Sequence, residues 1–294
     1  MKIRELKNYF FSMLEGIYEP AELDSIFYIL TSYLYGLKRI DVSLHPEFEI
    51  SLHEMERWNS ILIDLKNEKP IQYITGEAWF YGLRLEVNQA TLIPRPETEE
   101  LVEWIIESQT KNTESQTCTI LDVGTGSGCI SISLKANLPE AKVYAVDVSD
   151  SALATARKNA IENDVVVDFL QANILNVGVL EYFKNSFIAD TLFDVIVSNP
   201  PYVRHLEKVE IKKNVLDYEP HLALFVEDDD ALLFYRVIAK LALQLLKPGG
   251  YLFFEINQYL GPETIVLLRN LGFHTIELRK DFAGNDRMIR CSIQ

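Results

Sequence analysis

The residues most suggestive of chemistry form the string VSNPPYV, residues 197–203, which continues the apolar run FDVIV. Pro200 and Pro201 lack the N–H that a strand ladder needs, so a strand must end before them. The residue that precedes a proline is also pushed into an extended conformation. Asn199 is therefore expected to end a buried strand, with its side chain and the carbonyls that follow it free to face a ligand.

A second string, LDVGTGSGC, lies between a predicted strand and a predicted helix. Glycine permits positive φ and lets a ligand approach the backbone closely. The spacing G-x-G-x-G departs from the dinucleotide fingerprint, which would place a glycine where Cys129 stands. The loop by itself leaves open whether a nucleotide-type ligand binds. Its residues are Gly124, Thr125, Gly126, Ser127 and Gly128.

Two carboxylates near this loop narrow the choice of ligand. Asp147 follows the next predicted strand, where a carboxylate can accept two hydrogen bonds from ribose hydroxyls, although it could instead cap a helix. Asp122 precedes the glycines, and its charge suits an ammonium or sulfonium group better than a phosphate. S-adenosylmethionine has both cations and is the predicted cofactor. Asn173, in the string LQAN, could recognise its adenine or merely form a turn.

With a methyl donor in the cleft, NPPY has a chemical purpose. A planar amide or aromatic amine is a poor nucleophile because its nitrogen lone pair is delocalised. Acceptors must hold both N–H groups so that the lone pair meets the methyl carbon in line. The side-chain oxygen of Asn199 and the carbonyl of Pro200 are such acceptors, and Tyr202 can pack against the planar group. A rigid turn without catalytic function is the alternative.

The elements that must position these residues form two predicted regions. From Ile3 to about Lys69 the apolar residues recur at helical spacing, which predicts a small helical bundle over residues 1–72. The string YITGEAWFYGLRLEV is rich in aromatic and β-branched residues around Gly76 and Gly82, which predicts a β-hairpin linker over residues 73–95. The remaining residues, 96–294, would form the domain that binds the cofactor.

From Thr119 onward, apolar strands alternate with helical segments. This rhythm predicts an α/β fold with a doubly wound, mostly parallel sheet, whose ligands bind at the carboxyl ends of the strands. Asn199 lies at such an end. Residues 175–191 show no clear period and are interpreted as an inserted loop or an irregular helix.

Composition limits the classes of protein that the chain could belong to. No apolar run reaches the roughly 20 residues of a membrane span, and the first residues do not form a signal peptide, so a cytoplasmic location without membrane contact is expected. The net charge of −15 opposes direct attraction to nucleic-acid phosphates and favours a protein partner with basic patches. The three cysteines and five histidines show no metal-site spacing, so no metal is expected.

The ordered motifs resemble one family, the HemK/PrmC-type peptide chain release factor N(5)-glutamine methyltransferases, a branch of the class I S-adenosylmethionine-dependent methyltransferases. The resemblance covers roughly two thirds of the chain. It rests on the strings KPIQYITGEAWFYGLRLEV, LIPRPETEELV, ILDVGTGSGCISISL, VYAVDVSDSALATARKNA, FDVIVSNPPYV, DYEPHLALF, LKPGGYLFFEI and DFAGNDR.

The resemblance implies methylation of the glutamine amide in the Gly-Gly-Gln loop of class I release factors, with S-adenosylhomocysteine as product. It places residues 124–128 and Asp147 against the donor and residues 199–202 against the glutamine. It also implies that the N-terminal helical domain helps to dock the release factor. Asn173 stands where relatives often have an acid, and Ile174 beside it is a further expected cofactor contact.

A flap near the donor is the other feature that the motifs indicate. Arg95, in LIPRPETE, either lies against the donor or pairs with local acids, and the residues leave both readings open. Glu219 and Pro220 either shape the cleft or end a loop.

Two rival functions compete with this hypothesis. An adenine-specific DNA methyltransferase faces the same lone-pair problem, but it needs a basic DNA-binding surface, which this acidic chain does not show. A catalytically silent cofactor-binding module would be marked by a damaged donor loop or a damaged NPPY string, and neither is present.

Overall fold

The structure is a computed structural model that describes residues 1–110, 117–186 and 191–294. Its α-helices are α1 (Ile3–Leu14), α2 (Pro20–Tyr35), α3 (Arg39–Leu44), α4 (Leu52–Lys66), α5 (Ile71–Thr75), α6 (Pro96–Thr110), α7 (Cys129–Asn137), α8 (Asp150–Glu162), α9 (Val179–Lys184), α10 (Lys213–Tyr218), α11 (His221–Leu224), α12 (Leu233–Leu245) and α13 (Gly261–Asn270). Short 3₁₀ helices span His205–Glu210 and Asp228–Asp230. Its β-strands are β1 (Glu77–Phe80), β2 (Leu83–Glu86), β3 (Thr119–Val123), β4 (Lys142–Asp147), β5 (Asp168–Gln171), β6 (Phe193–Ser198), β7 (Val203–Arg204), β8 (Phe225–Val226), β9 (Leu246–Glu255), β10 (His274–Lys280) and β11 (Asp286–Ser292).

The described chain forms two compact units, one of residues 1–76 and 212–218, the other of residues 77–211 and 219–294. This division differs from the boundaries expected from the sequence, because the linker predicted over residues 73–95 begins inside α5. Gly76 ends that helix in the left-handed conformation, at φ 75°, and the hairpin of β1 and β2 follows. The hairpin itself groups with the second unit.

The first unit is a helical bundle around an aromatic core. Phe10 of α1, Phe27 of α2 and Trp58 of α4 are fully buried and in ring contact with one another. Such burial stabilises a bundle because large aromatic side chains remove much apolar surface from water. The helix α10 also belongs to this unit, and its Tyr218 hydroxyl donates to the carbonyl of Asn67 (3.0 Å).

The second unit is built on a seven-stranded sheet in the order β10-β11-β9-β6-β3-β4-β5. The strands β3, β4, β5, β6 and β9 pair in parallel, whereas β11 runs antiparallel to β9 and β10 antiparallel to β11. The predicted doubly wound, mostly parallel sheet is therefore confirmed. The unpatterned segment 175–191 contains α9, while residues 187–190 lie outside the described residues.

Buried side chains cover both faces of this sheet. The helices α6 and α7 pack on one face together with the hairpin, and α12 and α13 contribute to the buried cluster on the other. The order in which strands are added to the sheet reverses at β3, which pairs with β4 on one side and with β6 on the other. The carboxyl ends of these three strands therefore lie side by side, at the place where ligands bind in such sheets.

Candidate active site

A cavity of about 410 Å³ opens at this reversal of strand order. Its volume lies within the roughly 300–1,000 Å³ of small-molecule sites. Each of the three strand ends contributes to its wall. The lining includes the loop of residues 124–127, Asp147, Ser149, Asn173, Ile174 and residues 198–201. The strings that the sequence places far apart thus meet around one space.

The glycine loop needs its glycines for two different reasons. A Cβ on Gly128 would lie 2.7 Å from Cδ1 of Ile132 and 3.2 Å from the Cβ of Ala156, so the residue allows α7 and α8 to pack closely. Gly126 lines the cavity at φ 56°, and a Cβ there would meet no protein atom within 4 Å. A side chain on Gly126 would strain the loop, because other residues rarely adopt this left-handed conformation.

Asp147 connects the end of β4 to the glycine loop. Its Oδ2 accepts from the Gly126 N–H (2.8 Å) and its Oδ1 from the Ser149 N–H (2.9 Å). The cap of α8 is Ser149, whose hydroxyl accepts from the Ala152 N–H (3.2 Å), so the capping role is taken by another residue. Burial raises the pKa of Asp147, and the backbone hydrogen bonds oppose that rise. Three backbone N–H groups, of Gly126, Val148 and Ser149, use part of the roughly four acceptor sites of the carboxylate, so it can still accept from a ribose hydroxyl.

Asp122 lies beneath the loop, and among the described residues it is not part of the cavity wall. The side chain is fully buried, and its Oδ2 accepts from the Thr125 hydroxyl (2.6 Å) and the Ser131 N–H (3.2 Å). Burial raises the pKa of Asp122 to about 7. This differs from the expected direct contact with a cation, because the side chain turns towards Thr125 and the start of α7. The carboxyl group supports the loop instead.

Asn173 and Ile174 follow β5 and both lie on the cavity wall. The Asn173 side-chain oxygen accepts from the Leu175 N–H (2.9 Å), which is the local turn that the sequence left as an alternative. The hydrogen bond of this turn uses the side-chain oxygen and does not involve the amide N–H groups of Asn173. Asn173 can therefore form the turn and still line the site.

The flap residue Arg95 combines the two roles that the sequence left open. It lines the cavity, and its guanidinium pairs with Oε1 of Glu219 (2.6 Å). The other oxygen of Glu219 accepts from the Ile93 N–H (3.1 Å), and the Glu219 side chain is only 1% exposed. Glu219 thereby fastens the chain around residues 93–95, and Pro220 beside it lines the cavity.

The NPPY string ends β6 as expected. Asn199 follows the strand directly, and the Ser198 hydroxyl ties this end to the carbonyl of Val123 in β3 (2.6 Å). Asn199, Pro200 and Pro201 line the cavity, whereas Tyr202 does not appear among its described lining residues. Tyr202 differs from its expected position against the planar group because its hydroxyl donates to Oε1 of Glu255 (2.9 Å).

Three side chains that make hydrogen bonds at the site were not predicted from the sequence. Thr98 donates to Oε2 of the buried Glu255 (2.6 Å) and accepts from Nδ2 of Asn199 (3.3 Å). Burial raises the pKa of Glu255, while hydrogen bonds from Thr98 and Tyr202 and the charge of Arg287 act in the opposite sense. Fully buried Asn159 donates to the carbonyls of Glu86 and Ser127 (both 2.9 Å). In the sequence, Glu255 is a charged residue in the apolar string LFFEI, whereas Thr98 in PETEE and Asn159 in RKNA stand among other polar residues and give no signal.

Comparisons with known proteins fit this geometry. Two family models match the chain, the PrmC N-terminal domain over residues 5–76 and the methyltransferase small domain over residues 103–220. The release factor glutamine methyltransferase of Flavobacterium psychrophilum is 52% identical over 294 residues, which is 100% of both chains. The chain belongs to the release factor glutamine methyltransferase family.

Other members of the family extend the likeness. The release factor glutamine methyltransferase of Bacteroides thetaiotaomicron is 42% identical over 94% of this chain and 95% of its own. That of Streptococcus pneumoniae is 38% identical over 98% of each chain. Among solved structures, the hMettl16 catalytic domain in complex with the MAT2A 3′UTR hairpin 6 has a TM-score of 0.55 at 17% identity, covering 86% of this chain and 91% of that one. This last likeness shows the methyltransferase fold.

Proposed function

We propose that this chain transfers a methyl group from S-adenosylmethionine to the side-chain amide nitrogen of the glutamine in the Gly-Gly-Gln loop of class I peptide chain release factors. The observation that most directly supports this proposal is the orientation of Asn199 at the cavity wall. The amide nitrogen of Asn199 donates to Thr98, which leaves the amide oxygen of Asn199 free to accept from a substrate. The names of the family members supply the substrate class.

The residues of the cavity fit the proposed donor. The loop of residues 124–128, the carboxylate of Asp147, and Asn173 with Ile174 would hold it, with Asp147 accepting from ribose hydroxyls. The left-handed backbone of Gly126 on the cavity wall supports this assignment, because glycine there lets a ligand approach the loop closely. Once bound, S-adenosylmethionine supplies an electrophilic methyl group. The apolar faces of Ile174, Pro200 and Pro201 would limit water in the site.

The acceptor glutamine is held by the NPPY string in this proposal. Oδ1 of Asn199 and the carbonyl of Pro200 each accept one amide N–H, which fixes the plane of the amide. The nitrogen lone pair, perpendicular to that plane, then faces the methyl group, and binding energy is converted into orientation. A base is not needed before transfer, since the nitrogen becomes cationic and acidic only once it carries the methyl group.

Docking of the release factor is proposed for the helical unit of residues 1–76. This unit matches the PrmC N-terminal domain, and its surface carries exposed apolar side chains. Three of these are Ile40, Leu52 and Ile63, which are 60%, 89% and 62% exposed. Among the described residues no helix combines the length and apolarity needed to cross a bilayer. Because the proposed substrate acts in translation, a cytoplasmic location is part of this proposal.

The decisive experiment is transfer of labelled methyl groups from S-adenosylmethionine to three acceptors. These are a purified class I release factor, the same factor with its loop glutamine changed to alanine, and adenine-containing duplex DNA. Label only on the intact factor is expected, and Asn199→Ala should lower the rate by about 10²-fold or more. Label on DNA would instead assign the chain to the adenine methyltransferases, and label on the loop variant would refute the glutamine assignment.

A further inference from the structure

A continuous chain of hydrogen bonds leads from a buried carboxylate to the amide of Asn199. Glu255 ends β9, beside the end of β6 that carries Asn199, and is 1% exposed. Its Oε2 accepts from the Thr98 hydroxyl (2.6 Å), and the Thr98 oxygen accepts from Nδ2 of Asn199 (3.3 Å). Thr98 lies in the first turn of α6 and is 1% exposed. Three separate elements therefore meet in one polar chain.

The order of donors and acceptors along this chain is set by chemistry. The charge of Arg287 and the hydrogen bonds from Thr98 and Tyr202 favour the ionised form of Glu255 against the effect of burial. An ionised carboxylate only accepts, so in that form the single proton of the Thr98 hydroxyl is committed to Glu255. The oxygen of Thr98 can then only accept, and the group that it accepts from must be the NH₂ of Asn199. The two ends of an asparagine amide have nearly equal shape, so hydrogen bonding decides which end faces which way. Oδ1 of Asn199 is left for the cavity side.

The same carboxylate also holds the other end of the NPPY string. Oε1 of Glu255 accepts from the hydroxyl of Tyr202 (2.9 Å). One side chain thus restrains the residue that begins the string and the residue that ends it. Pro200 and Pro201 between them lack N–H groups and have restricted φ, so little conformational freedom remains.

We propose that Glu255 and Thr98 are positioning residues for methyl transfer, because their hydrogen bonds fix the Asn199 amide with its oxygen towards the acceptor nitrogen. This inference rests on the proposed function. Without the order imposed by Glu255, the Thr98 hydroxyl could donate to Oδ1 of Asn199. The amide would then present its NH₂ to the N–H groups of the substrate, and two donors would face each other.

The test compares variants that break the chain at two points. Thr98→Val keeps the shape of the side chain and removes the hydroxyl. Glu255→Met keeps its length and removes both acceptor oxygens, which leaves the Thr98 and Tyr202 hydroxyls without this partner and should lower stability. Each variant is expected to lower kcat for release factor methylation by about 10- to 100-fold, because the acceptor amide loses its orientation. Binding of S-adenosylhomocysteine, measured by calorimetry, should change less than about 3-fold.

Two further variants separate positioning from packing. Thr98→Ser restores a hydroxyl and should recover most of the rate that Thr98→Val loses. Thr264→Val is the matched control: Thr264 is also fully buried, but its hydroxyl donates to the carbonyl of Leu260, directly before α13 (2.7 Å). The kcat of this variant should therefore stay at the wild-type value. Thermal unfolding of all variants shows whether each is folded at the assay temperature.

The double variant gives the sharpest result. Because Thr98 orients Asn199 only while its own proton is held by Glu255, adding Thr98→Val to Glu255→Met should cost little more than Glu255→Met alone. Multiplied losses in the double variant, an unchanged kcat in Thr98→Val, or an equal loss in Thr264→Val would each overturn the inference. If the unchanged chain methylates no release factor, the proposed function fails, and the inference fails with it.

Discussion

At the scale of single residues, Asp122 shows how burial changes the pKa of a carboxyl group. It sits under the glycine loop with Oδ1 buried and without a hydrogen-bond partner, and the nearby Asp147 also disfavours its charge. Burial is the largest cause of its raised pKa of about 7. As the pH rises, the unfolded chain therefore releases this proton near its pKa of about 3.9, whereas the folded state keeps it to a higher pH.

The sign of the stability effect follows from this shift. The proton on Asp122 stabilises the fold fully below about pH 4, and this contribution is lost as the pH rises through about 7. Asp122→Asn, which cannot ionise, should therefore gain in melting temperature relative to the unchanged chain between pH 5 and pH 8. Thermal unfolding across that range measures the difference. The exposed Asp168→Asn serves as control, and a difference for Asp122→Asn that does not vary with pH would contradict the prediction.

At the scale of elements, Asn159 of α8 joins the β1–β2 hairpin to the glycine loop. Its amide donates to the carbonyls of Glu86 and Ser127, and its oxygen accepts from the Glu86 N–H. Asn159→Ala should lower the free energy of unfolding by roughly 3 kcal/mol, because it leaves buried backbone groups unpaired. Urea unfolding measures this loss.

Asn163→Ala is the matched control for Asn159→Ala. Asn163, at the C-terminal end of α8, donates to the carbonyl of Arg84 in the hairpin (3.0 Å), and the substitution removes that hydrogen bond. Asn163 is only partly buried, so water can replace that bond and the expected loss is below about 1 kcal/mol. Equal losses in the two variants would show that Asn159 has no special role in joining the hairpin to the loop.

The segment of residues 92–95, which overlaps the flap predicted at residues 94–96, is the second element with a testable attachment. Glu219→Gln removes the charge that holds Arg95 while keeping the size of the side chain. S-adenosylhomocysteine should bind about 10-fold more weakly, near 1.4 kcal/mol, because Leu92, Pro94 and Arg95 line the cavity. Asp230→Asn, which breaks the ion pair with Arg236 away from the described cavity wall, should bind it normally. Unchanged binding in Glu219→Gln would show that the flap does not depend on this ion pair.

At the scale of the whole molecule, we expect the net charge of −15 to influence how the chain encounters the release factor. An acidic surface attracts basic patches of a protein partner over a distance that salt shortens to about 8 Å at physiological ionic strength. KM for the release factor should therefore rise by about 10-fold between roughly 30 mM and 300 mM salt. Binding of S-adenosylhomocysteine, inside a cavity of the second unit, should change much less. A KM that is independent of salt would show that charge does not guide docking.

The sequence by itself determined the strands, their parallel pairing and the strings at their ends. Apolar β-branched runs such as FDVIV and TILDV, followed by proline or glycine, specify buried strands with abrupt ends through local physics. The helix predicted directly after the string LDVGTGSGC agrees with α7 (Cys129–Asn137), because its signal is also local. A doubly wound sheet then brings the ends of β3, β4 and β6 to one edge.

Only the tertiary structure decided which polar side chains meet. Thr98 and Glu255 are 157 residues apart, and no local pattern pairs them. Asp122 lies outside the described cavity wall, and the hydroxyl of Tyr202 donates to Glu255. The helix α10 belongs to the helical unit. The residues next to them in the sequence predict none of these positions. Periodicity predicts an element because its signal lies within a few turns. The direction of one polar side chain depends on partners that packing brings from distant parts of the chain.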